Sequence, residues 1–181
     1  MQKTDSSILE PISGYTSHNT VELIQGGAPY FQLLEELIDR AVESIQLQVY
    51  IYEQDETGTR ITNALIRAAQ RGVKVFMLLD GYASRSLNPE VIVSLDRCSI
   101  RFRWFEPVFR GKNFYIGRRM HHKIFVADGL YSLVGGINIS NHYNDLPHHP
   151  AWMDWAVYVK GQASVELYNR CMQMWYRGSR K

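Results

Sequence analysis

Residues 121–138 read His121-His122-Lys123-Ile124-Phe125-Val126-Ala127-Asp128-Gly129-Leu130-Tyr131-Ser132-Leu133-Val134-Gly135-Gly136-Ile137-Asn138, and the architecture turns on them. Asp128-Gly129 between two apolar runs is a strong signal for a tight β-hairpin turn. The spacing predicts strands near 121–127 and 130–136. With Asp128 and Gly129 forming the turn, His121 falls opposite Gly136, Lys123 opposite Val134 and Asn138 opposite Arg119. His121 and Lys123 lie two apart on an alternating stretch, so both side chains leave the same face. An imidazole and a cation then stand beside a floor without side chains, with an amide one step further on. Such a place suits a phosphate.

The same geometry removes Asp128 from that site. Seven residues of strand span ~23 Å at ~3.3 Å each, so Asp128 cannot orient His121. Its expected work is local: ordering the turn or pairing with a neighbouring element. The carboxylate that His121 needs comes from elsewhere.

At 181 residues the chain suits one domain with a full core. Its 45% hydrophobic and 21% charged content are those of an ordinary globular protein. A net charge of +2 says little about polyanionic partners, but charge placement says more. From Pro107 to Ala127 there are Arg110, Lys112, Arg118, Arg119 and Lys123 with no acid, interleaved with Phe109, Phe114 and Tyr115. That basic patch beside the motif would draw anionic phosphates; the plainer reading is a solvated loop. Cys98 and Cys171 form neither a disulfide framework nor a zinc motif, so a reducing compartment is the default. Met1 to Gly14 lacks the apolar run of a signal peptide. No stretch has the ~20 apolar residues needed to span a bilayer, and any membrane contact is expected to be peripheral.

Residues 1–18 read as a lead-in, 19–176 as one domain, and 177–181 as a basic tail or the start of a linker. Pro29 opens a helix with Phe31, Leu34, Leu37, Ile38, Ala41 and Val42 at helical spacing. Ile45, Leu47, Val49 and Ile51 alternate with Gln46, Gln48, Tyr50 and Tyr52 as a strand whose second face, being semi-polar, is expected to border a site. A helix over 58–71 stops at Gly72, and Val73–Leu79 is a central apolar strand. Asn88-Pro89 caps and opens a short helix to about Asp96, followed by a strand over 100–105. After the hairpin come a loop over 141–150, a strand over 154–159 and a helix over 162–176. Early strand–helix alternation with a late hairpin implies an α/β fold, a mixed central sheet flanked by helices.

His121, Lys123, Asp128, Gly135, Gly136 and Asn138 fall at every offset of the His-x-Lys…Asp…Gly-Gly…Asn motif, and the chain resembles the phospholipase D superfamily on that ground. Its flanks are similar to the N-terminal half of bacterial cardiolipin synthases: Val49-Tyr50-Ile51-Tyr52, Asp55-Glu56-Thr57-Gly58, Leu78-Leu79-Asp80-Gly81-Tyr82, Arg118 to Lys123, and Asp154 to Gly161. The resemblance covers roughly residues 19–176. It implies that His121 attacks phosphorus to form a phosphohistidine, which splits the transfer into two steps. Lys123 and Asn138 would hold the phosphate, and Asp154, at the start of the next strand, would orient His121. Asp128, Gly135 and Gly136 are motif positions of structural character. Arg118 and Arg119 are candidates for binding an anionic headgroup, and strand parity aligns Arg119 with His121.

One such His cannot both attack and protonate the leaving group. The resembled family brings two motifs face to face, and this chain carries one. His122 is no substitute, because adjacent strand residues point to opposite faces. The chain is therefore expected to be one half of a longer enzyme, or to pair with a second copy. Neither metal nor other cofactor is implied, and His142, Asp145, His148 and His149 lack a regular ligand spacing. Trp152, Trp155, Trp175 and Tyr176 are expected in core or interface. The resemblance implies a phosphatidyltransferase acting on anionic phospholipid, in the cytoplasm at the inner face of a bacterial membrane. Two alternatives stay open: a homodimeric phosphodiesterase or phospholipase, with nucleic acid the less expected substrate, and a non-catalytic half that binds phosphate or a partner.

Overall fold

The computed structural model describes residues 15–107, 109–110, 113–114 and 117–177, and of 109–110 and 113–114 only the backbone. Most of the lead-in, the basic tail from 178 on, and the side chains of Phe109, Arg110, Lys112, Phe114 and Tyr115 lie outside the described residues.

A seven-stranded mixed sheet forms the frame, in the order β1-β9-β8-β7-β2-β3-β4. Its strands are β1 (Thr20–Gln25), β2 (Ser44–Val49), β3 (Lys74–Asp80), β4 (Arg101–Phe105), β7 (Lys123–Ala127), β8 (Tyr131–Gly135) and β9 (Trp155–Lys160). A small β5–β6 pair (Phe109–Arg110, Asn113–Phe114) stands apart from it. β2, β3 and β4 are mutually parallel, and the remaining pairings are antiparallel. The parallel pairs need crossovers, supplied by α2 (Glu56–Gln70) and α3 (Pro89–Arg97).

The period-two alternation of β2 sorts its two faces. Ile45, Leu47 and Val49 join Val75, Met77, Leu79, Phe125 and Leu133 beneath α1 (Ala28–Arg40) and α2, whose Phe31, Leu34, Ile38, Ile61 and Leu65 are fully buried. Gln46 and Gln48 lie beneath α4 (Gln162–Arg177) on the other face, where Phe76, Leu78, Met120 and Trp175 form a second cluster. The semi-polar face of β2 meets α4 along Gln46 and Gln48, where Gln46 Nε2 meets Met172 Sδ (3.0 Å) and Gln48 Nε2 donates to Cys171 O (3.0 Å), and it reaches the candidate site at Tyr50. Asp55 caps α2, accepting from Gly58 N (2.9 Å), so this helix starts two residues before the expected Gly58. Asn88 caps α3 as expected, accepting from Glu90 N (2.9 Å).

Two features depart from the sequence expectation. β1 was not anticipated: its Val21 and Leu23 point outward and are 62% and 65% exposed, so no buried stripe announces this edge strand. The hairpin turn sits at Asp128-Gly129, closed by Leu130 N–H donating to Ala127 O (3.0 Å), with φ of 54° and 63° at the two turn residues. The register beyond it is one residue off the expected one. Ile124 pairs with Val134, Phe125 with Leu133 and Ala127 with Tyr131. Leu130 drops out of the ladder because its carbonyl accepts Gly161 N–H (3.0 Å), from the turn between β9 and α4. Carried one step further, this register sets Lys123 against Gly135 and not against Val134. His121 precedes the strand rather than lying within it, so the expected His121–Gly136 pairing does not form.

Candidate active site

Asp80 ends β3 and is fully buried. Its Oδ1 accepts from Tyr82 N and Ala83 N (both 3.0 Å), and its Oδ2 accepts from Met120 N (2.8 Å). Arg119 Nη1 lies 3.6 Å from Asp80 Oδ1 and donates to Glu106 O (3.0 Å). The two residues before His121 are therefore fastened to the carboxyl end of a central strand. Arg119 is turned toward Asp80, whereas Arg118 is exposed.

His121 emerges from this clamp onto the surface, and Lys123 reaches it from β7. The Lys123 ammonium is buried and lies 3.1 Å from His121 Nδ1, 3.2 Å from Nε2 and 3.2 Å from the His121 carbonyl. Its near-equal distances to the two ring nitrogens place the ammonium against the ring rather than on one nitrogen alone. The Tyr50 ring packs 4.7 Å from the His121 ring, centroid to centroid, and Lys123 Nζ lies 5.2 Å from the Tyr50 centroid. Burial pulls the Lys123 ammonium below the ordinary lysine range, and the negative charge of Asp154 acts the other way.

Asp154 acts on Lys123 from nearby, and its side chain is held by the backbone of its own neighbour. Its Oδ1 accepts from Trp155 N (2.7 Å), and its carboxylate lies where a Cβ on Gly136 would be. Among the described residues no His121–Asp154 hydrogen bond forms; Lys123 holds the imidazole instead. The two glycines are not an open floor either. A Cβ on Gly135 would sit 2.6 Å from Ala156 Cα, so that glycine permits close approach of β9.

Asn138 is buried, with Oδ1 accepting from Ile51 N (3.0 Å) and Nδ2 donating to the Tyr143 hydroxyl (2.9 Å). It ties the chain after β8 to the end of β2. Asp55 Oδ2 accepts from Asn141 N (2.6 Å), Asn141 Oδ1 accepts from Thr57 N (2.9 Å), and Asn144 Nδ2 donates to Thr57 (3.1 Å), completing that latch. Asp128 lies at the far end of β7. Its carboxylate accepts backbone N–H groups of Val42 (3.1 Å), Glu43 (2.8 Å) and Ser44 (2.9 Å), which fixes the α1–β2 connection.

His122 points to the opposite face, its Nδ1 3.3 Å from Gln48 Oε1. Burial lowers its pKa, with the Lys123 and His121 charges adding to the effect. His142 stacks on Trp152 at 4.7 Å. Asp145 accepts from Ala28 N (2.9 Å) and Ala151 N (3.0 Å), capping α1 from a distant loop; these hydrogen bonds hold its pKa low. Of the four aromatics expected in core or interface, Trp175 is buried, whereas Trp152, Trp155 and Tyr176 are exposed on this chain. No helix among the described residues is long and apolar enough to cross a membrane.

Asp80 and Tyr50 are the site residues that sequence reasoning did not single out. A polar residue at the carboxyl end of a parallel strand is the available signal for Asp80. Tyr50 lies on the semi-polar face of β2 that was expected to border a site, and the pairing of β2 with β7 brings it to His121 and Lys123.

Residues 34–174 match the family described as the cardiolipin synthase, PLD-like domain. Cardiolipin synthase B of Salmonella typhimurium is 36% identical over 156 residues, 85% of this chain and 38% of that protein. The major cardiolipin synthase of Bacillus subtilis is 33% identical over 167 residues, 91% of this chain and 35% of that protein. Among solved structures, NucT from Helicobacter pylori superposes with a TM-score of 0.67 at 20% identity, covering 87% of this chain and 96% of that one. Nuc from Salmonella typhimurium, a phospholipase D family member, gives 0.64 at 18% identity, covering 88% and 96%. These last two speak for the fold alone. The chain belongs to the phospholipase-D-like family that includes the cardiolipin synthases. It spans well under half the length of the cardiolipin synthases it matches.

Proposed function

We propose that this chain is one catalytic half of a phosphatidyltransferase of the cardiolipin synthase kind, with His121 as nucleophile. The observation that carries this reading is the contact between the His121 imidazole and the buried Lys123 ammonium, 3.1 Å apart, beside the Asp154 carboxylate. In the first step a His121 nitrogen lone pair forms a bond to phosphorus. The phosphorus–oxygen bond to the leaving alcohol breaks, and its electron pair departs with that oxygen. Lys123 turns from the imidazole to a non-bridging oxygen and offsets the gathering negative charge. Asp154, whose charge acts on Lys123, would offset positive charge building at the site. The leaving oxygen takes its proton from an acid of a second motif, in the same longer protein or in another copy. In the second step the acceptor alcohol gives its proton to the base that the second motif's acid has become and attacks phosphorus; the nitrogen–phosphorus bond breaks, and the pair returns to His121. Arg118, exposed beside the site, is a candidate for headgroup contact.

Supplying phosphatidylglycerol vesicles to the protein and assaying for cardiolipin and released glycerol tests this reading. The expected result is turnover that His121→Ala abolishes without loss of the folded state. Full activity in a folded His121→Ala protein would overturn it.

A second reading is a homodimeric phosphodiesterase, in which two copies of this chain bring two motifs together. Its sign would be salt-sensitive binding and cleavage of single- or double-stranded DNA.

A further inference from the structure

We propose that the aromatic face of Tyr50 is a positioning element for the His121–Lys123 pair, holding the ammonium beside the imidazole and stabilising the positive charge that His121 acquires when it bonds to phosphorus. This rests on the reading of His121 as nucleophile. Tyr50 is the one ring that contacts both members of the pair among the described residues: 4.7 Å from the His121 ring and 5.2 Å from Lys123 Nζ. The rings meet at 48°, a tilted contact, and His121 itself is exposed. An aromatic face is electron-rich, so a cation within about 6 Å of its centroid is attracted to it. Both partners fit that chemistry, since Lys123 carries a charge now and His121 becomes a cation on phosphorylation.

The backbone holds Tyr50 independently of its hydroxyl. Fully buried Ser84 donates its Oγ–H to Tyr50 O (2.8 Å) and accepts Tyr52 N–H (2.9 Å), fixing the chain on both sides of Ile51. The ring is thus set from the end of β2, and His121 is set from the end of β3 through Asp80. Two separately anchored elements meet at this contact. Without the ring, Lys123 would keep its burial and lose a neighbour that favours its charged form. The charged and titratable groups around Lys123 are then His121, His122 and Asp154.

Tyr50→Phe, which keeps the ring, and Tyr50→Leu, which keeps apolar bulk without it, separate this role from packing. Two measurements apply to the full chain: the Lys123 titration midpoint, by NMR of 13Cε-labelled lysine, and phosphohistidine formation from a phosphatidylglycerol substrate. For Tyr50→Phe both are expected to match the parent. For Tyr50→Leu the midpoint is expected to fall by roughly half a pH unit, from the size of exposed cation–π contacts. Phosphohistidine formation is expected to slow roughly fivefold with KM little changed, the same size of contact now acting on the cationic ring. A Tyr50→Leu protein with the parent's midpoint and rate would overturn the proposal, and so would a Tyr50→Phe protein as impaired as Tyr50→Leu. A parent protein that forms no phosphohistidine would overturn the nucleophile reading instead, and the midpoint comparison would still decide whether the ring supports Lys123.

Discussion

The Asp154 carboxylate occupies the space that a side chain on Gly136 would fill: a Cβ there would sit 2.6 Å from Asp154 Cγ. No positive φ is involved at Gly136, so the requirement for glycine is steric. The two residues belong to different elements, and the seat exists only because β8 pairs with β9 through Gly135 and Ala156. Gly136→Ala is therefore expected to displace Asp154. Because that carboxylate favours the charged form of Lys123, its removal lowers the lysine midpoint further below the ordinary range. We expect Gly136→Ala and Asp154→Asn to lower turnover to a similar degree, and the double variant to lose little more. Additive losses in the double variant would mean that Gly136 acts on something else.

Asp128 predicts a stability effect without a chemical one. It accepts three backbone N–H groups from residues 42–44 and has φ of 54°, which asparagine tolerates and alanine does not. Asp128→Asn is expected to cost about 1 kcal/mol and Asp128→Ala about 2–3 kcal/mol, from lost charge-assisted hydrogen bonds and backbone strain. Urea unfolding of the two variants measures this. Turnover per folded molecule should stay near the parent's.

Asp80 is expected to affect both. An amide in its place presents either two N–H groups to Met120 N or an oxygen that no longer serves Tyr82 and Ala83. Leaving a buried donor unpaired costs about 1–3 kcal/mol. Asp80→Asn should lower the unfolding midpoint, and His121 turnover should fall even where the protein remains folded. A folded Asp80→Asn protein with parental turnover would show that the clamp is not needed for the chemistry.

His122 sets a pH dependence. Its folded pKa lies below the unfolded value of about 6.5. The unfolded chain therefore binds this proton more readily than the folded one, so stability is retained above about pH 6.5 and declines as pH falls toward the folded pKa. Replacing His122 by Gln removes this share of the decline. Urea midpoints for parent and His122→Gln at pH 7.5 and pH 5.5 should diverge at the lower pH, with the parent losing more; equal losses would contradict the assignment.

Local chemistry alone settled a good deal here. Asp128-Gly129 marked its turn, Asn88-Pro89 its helix start, and the alternation of β2 its two faces, because each depends on residues close in sequence. Strand period had put His121 and Lys123 on one side; in the structure His121 lies ahead of β7, and the two meet because the Lys123 side chain reaches back to it. Tertiary contacts decided the rest. Gly161 claims the Leu130 carbonyl and shifts the hairpin register by one residue. β1 exists because β9 offers it an edge, although its apolar residues face outward. Asp80, Tyr50 and the seat of Asp154 depend on strands far apart in the chain arriving side by side. Periodicity reports which face a residue takes; only the paired sheet decides what it meets there.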